Sequence, residues 1–248
     1  MSENRSGLTG IAIIMVGVVL SSYLLGSSVV KAKANNSEIR VTGSARKDID
    51  SDFIVWTGRV TYRAENMTSG FQSVKTAVTK LVDYLKVKGI KDAELSIGAV
   101  TTNALYEQQA NGQYDGGSAF RTIKGYDVTQ AVTVRSSQVE LVEKVSREST
   151  DLIPQGVPLE SSNPQFIYTK IGEVKREILG LAAEDARKRA EEIVLKSGGK
   201  IGDVRGARMA PLQITPRYDF DIYDSGYNDL SSKEKSITAV VTLTFGVN

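Results

Sequence analysis

The residues from Gly7 to Val30 carry no charge and include Ile11, Ile13, Ile14, Val16, Val18, Val19, Leu20, Leu24 and Leu25. A helix of that length covers roughly 36 Å, enough for a hydrocarbon core of about 30 Å. The run is read as a transmembrane helix, which makes residues 1–34 a membrane anchor and flank, with the lipid bilayer as a partner through Gly7 to Val30. The competing reading is a signal peptide cut after Ala34, because Ala32-Lys33-Ala34 has the small-x-small pattern of a processing site. The run is longer than an ordinary signal core, and Lys31 and Lys33 are unusual beside a cut.

Charge does not settle which side of the membrane the rest occupies. Arg5 precedes the run and Lys31, Lys33, Arg40, Arg46 and Lys47 follow it. Taken literally, the positive-inside bias puts the following domain in the cytoplasm, but that bias is weak for long translocated domains. Beyond residue 34, basic and acidic residues are equal in number. A neutral domain lacks the basic excess of a nucleic-acid binder, so no nucleic-acid partner is expected.

The chain of 248 residues contains no His and no Cys. That removes the Ser-His-Asp and Cys-His nucleophiles, a zinc site of His and Cys ligands, disulfides and lipidation at an N-terminal Cys. Carboxylates, Lys, Arg, Tyr and hydroxyls remain, and nothing in their spacing arranges them for catalysis. The chain is expected not to be an enzyme, with no catalytic, metal or cofactor-binding residue assigned and no cofactor.

Ile39 to Gly43 reads as a short strand, and residues 54–63 as a stronger one, with Ile54, Trp56, Val60 and Tyr62 alternating with Thr57, Arg59, Thr61 and Arg63. Ser69 with Gln72 fits a capping box for a helix burying Phe71, Val74, Val78, Leu81, Val82 and Leu85. Strands at 94–102 and around Tyr126 to Val134 follow. Ser137 with Glu140 opens a shorter helix bearing Val139, Val142 and Val145, and Gln165 to Tyr168 reads as a strand. This order makes residues 52–168 a split βαβ, ferredoxin-like unit with two helices on one face of an antiparallel sheet.

A long helix from about Ile171 to Ser197 is expected to bury Val174, Ile178, Leu181, Ala182, Ala186, Ala190, Ile193 and Val194. Its outer side carries the pairs Glu184/Lys188 and Asp185/Arg189. Strands at about 202–214 and 235–247 complete residues 169–248. The expected class is α+β, a single domain over 35–248 with a possible second lobe.

Several stretches, read together, resemble the SIMPL-domain family of bacterial envelope proteins, whose members are often called oxidative-stress-defence-like. They are Val41-Thr42-Gly43 followed by Asp52 to Trp56, then Gly125-Tyr126, then Ala182 to Ala190, then Gly198 to Gly202, with Asn228 to Lys235 before the final strand. The resemblance covers about Ser37 to Val247. It implies an export signal or anchor, a periplasmic or otherwise external domain on the inner membrane, and self-association into a homo-oligomer; it brings no catalytic residues.

Two connections invite a binding role. Tyr218 to Asp229 gathers Asp219, Asp221, Asp224 and Asp229 among aromatics, but the EF-hand spacing fails at Tyr223 and Leu230, so an exposed loop solvated by its acids is favoured over a calcium site. Asn103 to Thr122 carries Tyr106, Tyr114 and Phe120 with scattered glycines and no phosphate-loop spacing. Trp56 is assigned to the core. The favoured reading is a self-assembling envelope protein, with protection under envelope or oxidative stress as its expected role. The alternatives are a carboxylate-dependent envelope hydrolase and a small-ligand or metal receptor built on the two loops.

Overall fold

The computed structural model describes residues 37–106, 123–221 and 225–248, together with Met15, Ser21 and Ser22. No helix among the described residues is long and apolar enough to cross a membrane. The span Gly7 to Val30, apart from those three helical residues, lies outside the described residues, as do 107–122 and 222–224.

Among the described residues eleven strands form two sheets, each backed by helix on one side. In chain order the strands are β1 (Glu38–Asp50), β2 (Phe53–Ala64), β3 (Leu95–Ile97), β4 (Thr101–Tyr106), β5 (Ile123–Ser136), β6 (Leu159–Ser161), β7 (Gln165–Ile167), β8 (Ile201–Met209), β9 (Gln213–Pro216), β10 (Tyr227–Asn228) and β11 (Glu234–Val247). The helices are α1 (Met67–Val87), α2 (Val139–Glu148) and α3 (Ile171–Lys196).

The first sheet places β5 and β2 at its centre, with β3 and β4 beyond β5 and β6 and β7 beyond β2, all antiparallel. This is the strand order of a split βαβ unit. Its core joins Ile54, Trp56 and Val60 of β2 to Val128, Val132 and Val134 of β5. Val74, Leu81 and Leu85 of α1 and Val139, Val142 and Val145 of α2 close it from one side. Trp56 is fully buried, and its Nε1 donates to Ser161 Oγ at 3.0 Å.

The cap of α1 is Asn66, whose side chain accepts from Ser69 N, and not the expected Ser69. With the helix starting earlier, Gly70 faces the sheet beside Val128 and Phe71 turns to solvent. At α2 the expected Ser137 cap is absent. Ser136 Oγ accepts from Gln138 N and donates to Glu94 Oε1.

The second sheet is built on β11, with β1 along one side and β8 and β9 in succession along the other. Strand β1 runs thirteen residues, far beyond the expected Ile39–Gly43, and pairs with β11 from Glu38↔Gly246 to Asp50↔Glu234. The second unit thus takes β1 as well as residues 169–248. The expected strand at 202–214 divides into β8 and β9 around Ala210-Pro211-Leu212, where proline cannot donate to a ladder.

Helix α3 covers this sheet with Val174, Ile178, Ala182, Ala186, Ala190 and Val194, a stripe repeating every four residues. Leu181 and Ile193, expected on the inner side, are exposed. The helix approaches most closely at the middle of this stripe, where Ala182 and Ala186 lie against Gly43.

Candidate functional site

Three places merit a search for chemistry: the seam between the two layered units, the recess beside β1, and the open sheet faces. At the seam, Ser51 and Asp52 connect β1 directly to β2. Ser51 N donates to Lys233 O (2.9 Å), and Phe166 N donates to Leu230 O (2.8 Å). Lys235 lies between the units and is 1% exposed; its Nζ donates to Phe166 O (2.7 Å) and to Asp229 O. The Asp229 carboxylate, on a residue 2% exposed, sits 4.0 Å from that ammonium and accepts from Ser231 N, Ser231 Oγ and Ser232 N.

Burial pushes the Lys235 pKa down, and the Asp229 charge opposes the shift. Burial alone would raise Asp229, but the Ser231 hydroxyl and backbone, Ser232 and Lys235 together hold it below the usual carboxylate range. At the rim, Lys233 pairs with Glu140 at 2.7 Å and fixes α2 to the segment before β11. The seam is a buried lock in which every charge is answered.

Asp229 is therefore not a solvated loop acid as expected. The Asp-Leu-Ser-Ser pattern from 229 to 232 was the available signal, since an Asp side chain commonly caps the amides two and three residues on. Asp219 also caps locally, accepting from Asp221 N at 2.9 Å. Asp224 lies outside the described residues. Tyr227–Asn228 forms the short parallel strand β10 beside β9. The connection 103–122 is described only to Tyr106, so its expected aromatic tip lies outside the described residues.

The recess, about 340 Å³, is lined by Ser44, Arg46, Thr215, Asp219, Phe220 and Asp221 among others. Arg46 occupies it: its guanidinium lies 4.3 Å from the Phe220 ring centroid and donates to Asp219 O (3.0 Å) and to Arg217 O. Arg217 in turn pairs with Asp50 at 2.8 Å and Glu234 at 3.0 Å, with Asp48 3.7 Å away. Two arginines thus staple residues 217–221 to the β1–β11 pair. Among the described residues no group of three or more Asp and Glu side chains could hold a metal ion.

The faces not covered by helices carry cross-strand hydroxyl pairs. Thr57 meets Thr133 at 3.1 Å, Thr61 meets Thr129 at 2.9 Å, and on the second sheet Thr42 meets Thr242 at 2.9 Å. Arg63 donates twice to Asp127 in the same row. On α3 the charges answer one another at i,i+4: Glu184 with Lys188, Asp185 with Arg189, and Arg187 with Glu191.

Two one-sided layers of sheet and helix, joined by a buried Lys–Asp lock and presenting hydroxyl-lined outer faces, define an α+β module. The chain belongs to the SIMPL family, described as a protein of unknown function (DUF541), whose model matches residues 39–245. It is similar to the 26 kDa periplasmic immunogenic proteins of Brucella melitensis biotype 1 and Brucella abortus strain S19, at 26% identity over 178 residues in each case. The alignments take in 70% of this chain and 63% of each relative, so the chain matches less than two thirds of the length of these curated relatives.

Proposed function

We propose that this is a non-enzymatic envelope protein, anchored by Gly7 to Val30, whose α+β domain self-assembles on the outer side of the inner membrane and protects the envelope under stress. The observation that carries the reading is the pair of one-sided sheets, whose second faces are lined by cross-strand hydroxyl pairs and by the Arg63–Asp127 ion pair. Such faces suit protein contact, and homo-oligomers close by rotational symmetry. A periplasmic address is supported by the names of the two Brucella relatives.

The hydrolase alternative needs two carboxylates facing each other across a substrate. Asp219 and Asp221 line the same recess, but Asp219 accepts from the Asp221 amide and the Arg46–Phe220 stack occupies the space between β1 and the loop.

The test is sedimentation of the full chain in mild detergent, with membranes washed in carbonate beforehand. A particle well above the 26.9 kDa chain mass that stays with the washed membranes is expected. A monomer in the supernatant would overturn both assembly and anchoring.

A further inference from the structure

Resting on the self-assembly reading, we infer that the edge strand β4 is where a second copy of this chain docks, antiparallel and about a two-fold axis through Asn103. The direction of the free backbone groups follows from the ladder. Gly98 N donates to Ala131 O at 2.9 Å, so the odd-numbered residues of β5 turn their peptide groups toward β3 and β4. Thr129 and Asp127 of β5 face Thr101 and Asn103 of β4. By antiparallel alternation, the N–H and C=O of Thr102 and Ala104 point to the open side. Among the described residues no group bonds them there.

Among the described residues the other edges are blocked, charged or short, the shortest being the two-residue β10. On β1, Ser44 N donates to Asp185 of α3 at 2.9 Å, and Glu38, Arg40, Arg46, Lys47, Asp48 and Asp50 line the strand. On β8, Asp203, Arg205 and Arg208 interrupt the edge. Strands β6 and β7 have three residues each, and Phe166 N is taken by Leu230 O. From Leu95 to Tyr106 no residue is charged. Charges on edge strands are how sheets avoid pairing, and among the described residues β4 is the longest edge strand that has none. Ile97, Tyr106 and Ile123 add exposed apolar surface beside it, at 53%, 50% and 45%.

A second copy is the occupant that this chemistry fits. With Asn103 on the axis, Thr102 of one copy opposes Ala104 of the other, and the outward groups of both strands bond reciprocally with no like charges brought together. Asn103 then opposes Asn103 in a non-hydrogen-bonded pair, where Cα atoms lie about 4.5 Å apart, within reach of a disulfide. Two short strands bury little against the roughly 1,200–2,000 Å² of a stable interface, so the contact is weak alone and is best trapped covalently.

The chain has no native Cys, so Asn103→Cys in the full chain in mild detergent reports one contact only. Air or mild copper oxidation is expected to give a reducible dimer. Adding Thr102→Lys, or Ala104→Pro, which removes only an outward N–H, should lower the cross-linked fraction about tenfold, while Thr242→Cys should give no dimer. If sedimentation shows an assembly but Asn103→Cys stays monomeric, or its dimer survives both edge variants, the β4 contact is wrong and self-assembly stands. If the unmodified chain sediments as a monomer, self-assembly falls and the β4 contact falls with it.

Discussion

Gly43 on β1 lies backbone to backbone against Ala186 on α3, with no room for a side chain between them. A Cβ at position 43 would overlap the Ala186 nitrogen and the Ala182 oxygen and sit 2.7 Å from the Ala186 Cα. None of these atoms can swing aside, since all belong to main chain. Gly43→Ala should destabilise the domain by about 1–3 kcal/mol, as overpacking does, read as a lower thermal midpoint. Gly206→Ala is the control, because its Cβ would meet nothing nearer than 3.8 Å. Equal loss in both would sink the close-approach argument.

Gly180, exposed in the interior of α3, has nothing within 4 Å of its missing Cβ. Gly180→Ala should raise stability by about 0.5–1 kcal/mol through helix propensity alone. A thermal midpoint unchanged or lowered by this substitution would contradict the placement of that face in solvent.

The lock at the seam should be costly to break from one side. Lys235→Met leaves the Asp229 carboxylate and two carbonyl oxygens without their ammonium, and removing one partner of a buried pair costs about 3–5 kcal/mol. Lys235→Met combined with Asp229→Asn should recover part of the loss. Denaturant titrations of the two single variants and the double give the coupling, and strict additivity would show that the two residues do not act as a pair.

The same groups set the pH response. Asp229 has a folded pKa below its unfolded one, as does Glu94, chiefly through the Ser136 hydroxyl. Their stabilisation is complete above the unfolded carboxylate range and is lost as pH falls through the lower folded values, so melting temperature should drop below about pH 4. Asp229→Asn should flatten that acid limb. Lys235 works in the opposite limb: its folded pKa is lowered, so the unfolded chain binds more protons over that interval and stability rises with alkaline pH. Lys235→Met should abolish the alkaline rise, and an unaltered profile would refute the assignment.

On β11, neighbouring residues test which face is wet. Leu243 is buried beneath α3, whereas Thr242 points outward to Thr42. Leu243→Asp should prevent folding, because a buried unpaired charge costs several kcal/mol of a total near 5–15. Thr242→Asp should lower the thermal midpoint by a few degrees at most, measured by circular dichroism.

What the sequence disclosed followed local periodicity. The alternation of Ile54, Trp56 and Val60 and the four-residue spacing of Ala182, Ala186 and Ala190 both mark core faces that the structure contains. The full length of β1 was hidden because Arg46, Lys47 and Asp48 break the pattern, yet each charge has a distant partner; Lys47, for example, reaches Glu177 at 2.6 Å. The burial of Asp229 was hidden for the same reason, as its environment is made by Lys235 and by the joining of two units. The free side of β4 is a property of the sheet order, which no window of sequence contains.

The pairing of β1 with β11 has a consequence for how the chain reaches its fold. Thr42 and Thr242, 200 positions apart in the chain, touch, whereas the β2–β7 layer is assembled from a contiguous stretch. That layer can form without waiting for the C-terminal strands. The β1 layer has no partner until β11 is made, so its closure has the highest loop-entropy cost and belongs to the slow phase of folding. Until then β1 trails as an unpaired strand with Gly43 uncovered, open to mispairing with a second chain.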